Sequence, residues 1–140
     1  MQDQVQKLID DVSDALSRSE FAKLQQFFAF PTSIFIEDKM ILVLAPEHLA
    51  LTLNEYRRGL DNLNVDHSRA ELRHISKSRE ASVIAEVRCE FLDEEDQLIT
   101  TCDVRYFLRM IGTELKIEML EYDALPLRAE DRDSVLGLAI

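Results

Sequence analysis

From Asp66 to Tyr122 the chain reads DHSRAELRHISKSREASVIAEVRCEFLDEEDQLITTCDVRYFLRMIGTELKIEMLEY. Apolar and polar residues alternate through most of this stretch, and polar segments interrupt the alternation at Ser78–Glu80, Asp93–Asp96 and Gly112–Thr113. Alternation with a period of two is typical of β-strands that bury one face, and the interruptions are typical of turns. The stretch therefore predicts four long antiparallel strands.

The turn positions also predict which residues face one another across the sheet. Hairpins centred on Arg79–Glu80, Glu95–Asp96 and Gly112–Thr113 fix the pairing, because a shift of one residue would turn every side chain to the other face. One face is then mostly apolar, and the other carries rows of opposite charges that stabilise neighbouring strands. The apolar face is predicted to point to the interior of the domain, and it includes Leu72, His74, Ala85, Val87, Val104, Tyr106, Leu108, Ile117 and Met119.

The N-terminal segment is predicted to be helical. Apolar residues recur every three or four positions from Val5 to Phe30, which is typical of amphipathic helices. Ser17–Glu20 interrupts the pattern. We therefore expect two helices, with Ser19 as the N-cap of the second and Pro31 as the end of the helical region.

A short hairpin and a third helix are predicted before the long strands. β-Branched and aromatic residues surround Asp38-Lys39, which favours a turn between two short strands. Ala45-Pro46-Glu47 is typical of a helix start, and that helix is expected to end near Gly59 to Asn62. Residues 1–124 are predicted to form one domain, and residues 125–140 a C-terminal tail that is a disordered end, a lid on the pocket or an arm on a partner subunit.

Several local features accompany this order of elements: Phe30-Pro31 after the first helices, Tyr56-Arg57 in the third helix, and Arg105-Tyr106-Phe107-Leu108-Arg109 followed by Gly112 and Lys116-Ile117. With them the chain resembles, over nearly its whole length, the nuclear transport factor 2-like superfamily, which includes SnoaL-like and ketosteroid isomerase-like proteins. The resemblance implies an α+β fold in which N-terminal helices pack on a strongly curved antiparallel sheet, a cone-shaped α+β barrel in the order α-α-β-β-α-β-β-β-β with a pocket inside. It also implies dimers that form through the outer face of the sheet. The superfamily contains both enzymes and non-enzymes, so the fold leaves the function open.

Three residues of the predicted sheet are candidates for catalysis. The predicted pairing places His74, Ala85, Tyr106 and Met119 in one row of the pocket face, with Glu121 one step along the last strand. His74 is suited to act as a base or acid near neutral pH, Tyr106 as a hydrogen-bond donor, and Glu121 as a base or orienting group. Alternatively, these polar groups satisfy one another or lie at the open rim of the pocket.

The outer face of the sheet is a candidate dimer interface. Its apolar residues alternate with charged rows, and an exposed apolar patch is typical of an interaction surface. A self-complementary grid of charges suits a two-fold contact between identical chains. Alternatively, the face is a solvated surface with scattered hydrophobic residues. The predicted interface residues are Ile75, Ile84, Phe107, Leu120 and Tyr122.

Composition narrows the classes of partner. The net charge is −11, so the averaged field repels phosphate backbones and anionic lipids, and neither nucleic acid nor membrane is an expected partner. The N-terminus lacks the pattern of a signal peptide, so the chain is expected to be cytoplasmic. Cys89 and Cys102 face one another in the predicted pairing, and in a reducing compartment they are expected to be buried thiols rather than a disulfide or a metal site. No cofactor is predicted.

Three classes of function remain. The leading interpretation is a domain that binds a small apolar or aromatic ligand in the cone pocket. The second is a small lyase, isomerase or cyclase similar to the SnoaL-like polyketide cyclases, which would use His74, Tyr106 and Glu121. The third is a non-catalytic accessory subunit, similar to the small subunit of a ring-hydroxylating dioxygenase, with a filled cone.

Overall fold

The structure, a computed structural model, describes residues 1–137. Its helices are α1 (Gln2–Ser17), α2 (Phe21–Gln25), α3 (Pro46–Asn62) and α4 (Ala129–Leu136). Its strands are β1 (Phe28–Ile36), β2 (Lys39–Val43), β3 (His67–Arg79), β4 (Ser82–Leu92), β5 (Leu98–Ile111) and β6 (Glu114–Tyr122). The predicted α+β class is confirmed, and so are the short hairpin, the third helix and the four long strands.

All six strands form one curved sheet in the order β2-β1-β6-β5-β4-β3. Every neighbouring pair is antiparallel except β1 and β6, which run parallel. Helix α1 packs on β3 and β6, and α3 packs on β2, so the helices cover one face of the sheet. The hydrophobic core lies between the helices and this inner face, and it includes Ile9, Leu49, Leu60, Val87, Leu108 and Ile117.

The two long helices bury the side that their apolar spacing predicts. In α1, Val5 and Ile9 lie one turn apart and are fully buried. In α3, Pro46 occupies the start, where its fixed φ suits a helix. Leu49 and Tyr56 on α3 are buried. The two helices thus bring their apolar sides against the inner face of the sheet.

The second helix is shorter than predicted. It ends at Gln25, and β1 already begins at Phe28, so the helical region ends before Pro31 rather than at it. The backbone explains the difference, because the amide of Ile117 donates a hydrogen bond to the carbonyl of Phe27 at 2.8 Å and draws this segment into the sheet. The prediction of Ser19 as an N-cap is also wrong, because Glu20 holds that position.

A β-bulge on β3 changes the predicted register halfway along the strand. The predicted pairing with β4 holds as far as Leu72, which lies opposite Val87. Arg73 is then an extra residue, so His74 lies opposite Glu86 and Ile75 opposite Ala85. A bulge reverses the faces of all residues beyond it. His74 therefore lies on the outer face, and the prediction that it lines the pocket is wrong.

A second bulge has the same effect on β6. The predicted pairing with β5 holds until Leu108 meets Ile117, and Glu118 is then the extra residue. Beyond it, Tyr106 lies opposite Leu120 rather than Met119. Residues that were predicted for the pocket side therefore turn outward and their neighbours turn inward. The residues that change face on the two bulged strands are His74, Ile75, Met119, Leu120, Glu121 and Tyr122.

The chain after β6 packs on the outer side of α3. Leu127 is buried over Gly59, and Asn62 donates hydrogen bonds to both carboxylate oxygens of Asp131 at 3.0 and 3.1 Å. The segment from Leu125 to Gly137 thus lies against α3, and residues 138–140 lie outside the described range. The lid and the dimer arm stay predictions. Among the described residues, no helix has the length and hydropathy needed to cross a membrane.

Candidate functional site

A small cavity of about 50 Å³ lies between the helices and the inner face of the sheet. Its apolar wall includes Val12, Leu16, Leu24, Phe28, Leu53, Ala70, Phe91 and Leu120. Its polar wall consists of Ser13, Tyr56, Ser68, Cys89, Tyr106 and Tyr122. Three larger depressions of about 270, 400 and 690 Å³ are lined mainly by polar and charged side chains. We therefore take the 50 Å³ space, which lies between the helices and the sheet, as the candidate pocket.

Three tyrosines from three different elements meet at this cavity. Tyr56 comes from α3, Tyr106 from β5 and Tyr122 from β6. The rings of Tyr56 and Tyr122 pack edge to face with their centroids 6.3 Å apart. Burial raises the pKa of all three phenols well above the ordinary value of 10.0. All three therefore remain neutral at physiological pH and can donate hydrogen bonds.

The tyrosine hydroxyls have unused hydrogen-bonding capacity. Within residues 1–137, the hydroxyls of Tyr56, Tyr106 and Tyr122 form no hydrogen bond with a side chain or with the backbone. The structure also leaves no completely shielded side-chain oxygen without a partner in that range. The hydroxyl oxygens are therefore not completely shielded, although Tyr56 and Tyr106 are only 7% and 5% exposed, and both residues line the cavity.

The serines beside the cavity are already engaged. The Ser13 and Ser68 hydroxyls are 3.0 Å apart and share a hydrogen bond. The Ser17 hydroxyl donates to the Ser13 carbonyl and accepts from the backbone amide of Ser68, both at 2.9 Å. This network also covers the free edge of β3, because the amide of Ser68 would otherwise point to an unpaired side of the sheet. The phenols are therefore the groups available to a ligand.

The two cysteines face one another as predicted. Cys89 pairs with Cys102 across β4 and β5, and both are free thiols. The pKa of Cys102 is raised far above its ordinary value. The largest cause is a hydrogen bond with the Cys89 thiol, and the second is burial. Because the thiolate is the reactive form, Cys102 is an inert thiol at neutral pH.

The structure does not bring the three catalytic candidates together. Tyr106 lines the cavity, whereas His74 is exposed on the outer face opposite Glu86. Glu121 also lies outside, where Arg105 donates a hydrogen bond to its carboxylate at 3.2 Å. The predicted row of His74, Tyr106 and Glu121 is therefore wrong, because the two bulges move the first and last of these residues to the other face.

The other residues that were predicted to line the pocket do not line the cavity. Five of them are buried in the core without lining the cavity, namely Ala85, Val87, Val104, Leu108 and Ile117. Leu72 is half-buried against the core, and Met119 lies on the outer face. Sequence reasoning missed Tyr122 as a pocket residue because it assigned that residue to the outer face. Tyr56 was placed on the apolar side of its helix but not in the pocket.

The bulges create an apolar strip on the outer face of the sheet, which we call the outer patch. Cross-strand pairing places Ile84, Phe107 and Met119 side by side across β4, β5 and β6. The strip continues onto β1 and β2 through Ser33, which lies between Met119 and Leu42. The outer patch consists of Phe35, Met40, Leu42, Ile84, Phe107 and Met119, all half-buried and none part of the core.

The outer patch corrects the predicted dimer residues. Ile84 and Phe107 belong to it, whereas Ile75, Leu120 and Tyr122 pack on the inner side. The prediction that these last three form an interface is therefore wrong.

Ion pairs border the outer patch. Arg105 lies 3.6 Å from Glu86 and 3.2 Å from Glu121, and Arg88 lies 3.0 Å from Asp103. The outer face thus combines an apolar strip with paired charges.

A helical layer enclosed by a curved, mostly antiparallel sheet is the architecture of the nuclear transport factor 2-like cone. A family model described as "NTF2-like protein (DUF6841)" matches residues 2–121, so the chain belongs to this NTF2-like family. The resemblance seen in the sequence is confirmed. No curated protein matches the sequence.

Solved structures share this architecture at low sequence identity. An NTF-2 like protein of unknown function from Shewanella oneidensis is 13% identical, with a TM-score of 0.66 over 86% of this chain and 97% of that one. Aln2 from a Streptomyces species is 11% identical, with a TM-score of 0.69 over 86% and 88%. A protein from Novosphingobium aromaticivorans described as a candidate aromatic ring hydroxylase is 11% identical, with a TM-score of 0.64 over 92% and 94%. These likenesses show the fold alone.

Proposed function

We propose that the protein binds a small, mainly apolar molecule in the cone cavity through the tyrosine hydroxyls. The observation that carries this proposal is the pair of buried phenols, Tyr56 and Tyr106, which border a cavity without a hydrogen-bond partner among the described residues. Both hydroxyls are accessible to a molecule the size of water. A bound molecule that accepts from them takes the place of water as their hydrogen-bond partner.

The size of the cavity limits what it binds in the described form. Its volume of about 50 Å³ is far below the roughly 300–1,000 Å³ of a drug-sized site and below the roughly 150 Å³ of a cavity that holds benzene. Because one water-sized atom needs about 10–15 Å³ of such volume, the cavity admits a molecule of about four non-hydrogen atoms or fewer. At a ceiling of about −1.5 kcal/mol per atom, such a ligand reaches about −6 kcal/mol, a Kd near 40 µM.

A ligand that binds more tightly requires a larger cavity. Leu24, which is 1% exposed, forms part of the wall and belongs to α2, a helix of only five residues that packs on α1 and α3. A short helix has few contacts to lose when it moves. Displacement of α2 is therefore the route by which the cavity widens for a larger apolar or aromatic molecule.

A thermal-shift screen tests binding. Small ketones and alcohols, aromatic acids, sterols and polyketide-like compounds are titrated, because a ligand raises the melting temperature by mass action. We expect a concentration-dependent rise with at least one class. The rise is smaller in Tyr106→Phe, which removes one hydroxyl, and is unchanged in His74→Ala, a matched control on the outer face. Binding that persists in Ala70→Leu, which fills the cavity, would contradict the proposal. No shift from any compound would favour the accessory-subunit interpretation.

We also propose that two copies of the chain associate through the outer patch. Six half-buried apolar side chains lie together on this face and outside the core. Although the chain carries a net charge of −11, strands β3 to β6 hold nearly equal numbers of acidic and basic residues. Two copies therefore repel one another only weakly when the outer faces of their sheets meet. A two-fold contact is self-complementary, so acidic residues of one copy can lie opposite basic residues of the other.

Analytical ultracentrifugation tests the association. We expect the wild type to sediment as a dimer and Phe107→Asp to sediment as a folded monomer, because a charge then lies in the centre of the outer patch. Leu51→Asp is the matched control, since Leu51 is 60% exposed on α3 and lies away from the sheet. A monomeric wild type, or equal effects of the two substitutions, would exclude this interface.

A further inference from the structure

We infer that the ligand of the cavity is an uncharged molecule that presents a carbonyl or similar acceptor oxygen to the phenols, and that Tyr106 is the residue that selects it. This inference rests on the proposed function, because it concerns the same cavity. It adds the chemical class of the ligand, which the presence of a cavity alone does not determine.

The wall of the cavity excludes a charged ligand. None of the residues that line it, all within the described part of the chain, is a lysine, arginine, histidine, aspartate or glutamate. An ion that leaves water for such a site finds no counter-charge, so its loss of hydration is not compensated. The net charge of −11 makes the surroundings still less favourable for an anion.

The available hydrogen-bonding groups favour an acceptor. Ser13 and Ser68 already share a hydrogen bond with one another. The hydroxyls of Tyr56, Tyr106 and Tyr122 are the remaining polar groups apart from the Cys89 thiol, which is a weak donor. A carbonyl oxygen has two lone pairs and accepts from two phenols at once. Such an oxygen therefore suits the hydroxyls that the described residues leave without partners.

Tyr106 has the central position among the three phenols. It lies on β5 opposite Leu120 and Ala85, both buried, in the middle of the inner face. It is the most buried of the three, at 5% exposure, whereas Tyr122 is only half-buried. A ligand oxygen that enters the cavity is therefore expected to meet the Tyr106 hydroxyl. Removing one neutral hydrogen bond weakens binding roughly two- to tenfold.

Three probes of similar size separate the possibilities: acetone, which is uncharged and accepts hydrogen bonds; acetate, which is its charged counterpart; and xenon, which is apolar and enters dry cavities. Each is titrated at pH 7 while NMR follows the methyl groups of Val12, Leu24 and Leu53, which line the cavity. We expect acetone to shift these signals with saturation and acetate to leave them unchanged. In Tyr106→Phe the apparent Kd for acetone rises roughly two- to tenfold, whereas xenon binding is retained.

The results distinguish the inference from the proposed function. Acetate binding as tight as acetone binding, or acetone affinity unchanged in Tyr106→Phe, would overturn the inference while leaving a functional cavity. Failure of all three probes, together with no thermal shift from the larger compounds of the screen, would overturn the proposed function itself. A backbone amide spectrum that matches the wild type confirms that Tyr106→Phe is folded. His74→Ala serves as the control on the outer face, and its acetone affinity is expected to equal that of the wild type.

Discussion

Substitution of Gly59 tests whether the C-terminal segment packs on α3. A Cβ at this position would lie 2.8 and 2.9 Å from the two terminal methyl carbons of Leu127 and 3.3 Å from the Cβ of Asp131. Alanine is favoured over glycine inside a helix by about 1 kcal/mol. Overpacking of a filled site costs about 1–3 kcal/mol. The clash therefore outweighs the propensity, and Gly59→Ala is expected to lower the free energy of unfolding by about 1 kcal/mol.

The same contact predicts a reversal of sign. Leu127→Ala removes the atoms that clash, so in that background Gly59→Ala is expected to raise the free energy of unfolding by up to about 1 kcal/mol. The remaining approach to Asp131 requires a shift of only a few tenths of an ångström. Leu127→Ala alone is expected to cost about 2–5 kcal/mol, because Leu127 is buried.

Urea denaturation of four proteins measures this coupling. The wild type, the two single variants and the double variant form a double-mutant cycle, and residues in contact show coupling energies of about 0.5–3 kcal/mol. Circular dichroism follows unfolding, with the slope against urea checked for each protein. Additive effects of Gly59→Ala and Leu127→Ala would refute the reasoning. They would mean that residue 127 does not cover α3 in solution.

Three further predictions concern single groups. Cys102 is expected to react more slowly than Cys89 with a thiol reagent at pH 8, because its raised pKa leaves almost no thiolate. Peptide mapping of partly labelled wild-type protein, which keeps both thiols, would contradict this if the two residues were labelled at equal rates. The hydrogen bond from Arg88 lowers the pKa of Asp103. This pair therefore stabilises the fold at pH values above the ordinary aspartate pKa, and its contribution disappears as the pH falls through the lowered pKa. Carboxyl NMR titration of Asp103 should show a higher midpoint in Arg88→Gln. Gly112 has φ +62°, and a methyl group added to its Cα would meet no atom within 4 Å, so Gly112→Ala should cost about 1 kcal/mol through backbone strain alone, and a loss of several kcal/mol in thermal unfolding would show that side-chain crowding also acts there.

The strand pattern could be predicted because the sequence marks it at each turn. Polar segments around Arg79, Glu95 and Gly112 separate alternating stretches, and the pairing between β4 and β5, including Ala85 with Tyr106, follows from the turn positions alone. This agreement has a physical reason. A strand with one buried face tolerates only one register, since a shift of one residue would expose its apolar side.

The candidate site could not be predicted in full because bulges leave no clear mark in the sequence. Arg73 and Glu118 are ordinary polar strand residues, yet each is an extra residue that reverses the faces beyond it. Beyond the bulges, apolar residues occur on both faces of these strands, for example Ile75 and Met119. The sequence pattern therefore does not show which face is buried. Of the residues predicted to line the pocket, Tyr106 alone lines the cavity. It lies on β5, where the pairing with β4 has the predicted register.

The boundary between α2 and β1 was missed for a different reason. The run from Phe27 to Phe30 is apolar and fits a buried strand as well as a helix. Pairing with Ile117, far away along the chain, decides between them. Local sequence does not contain that information.

The position of β1 in the sheet has a consequence for the order in which the chain folds. β1 and β2 join the remaining strands only through β6, the last strand to be synthesised. An isolated two-stranded hairpin is marginally stable at best. While the ribosome is still translating the segment up to Glu114, the first hairpin has no sheet to join. We expect the domain to fold as one unit only after β6 has been synthesised, at a rate set by this pairing of distant segments.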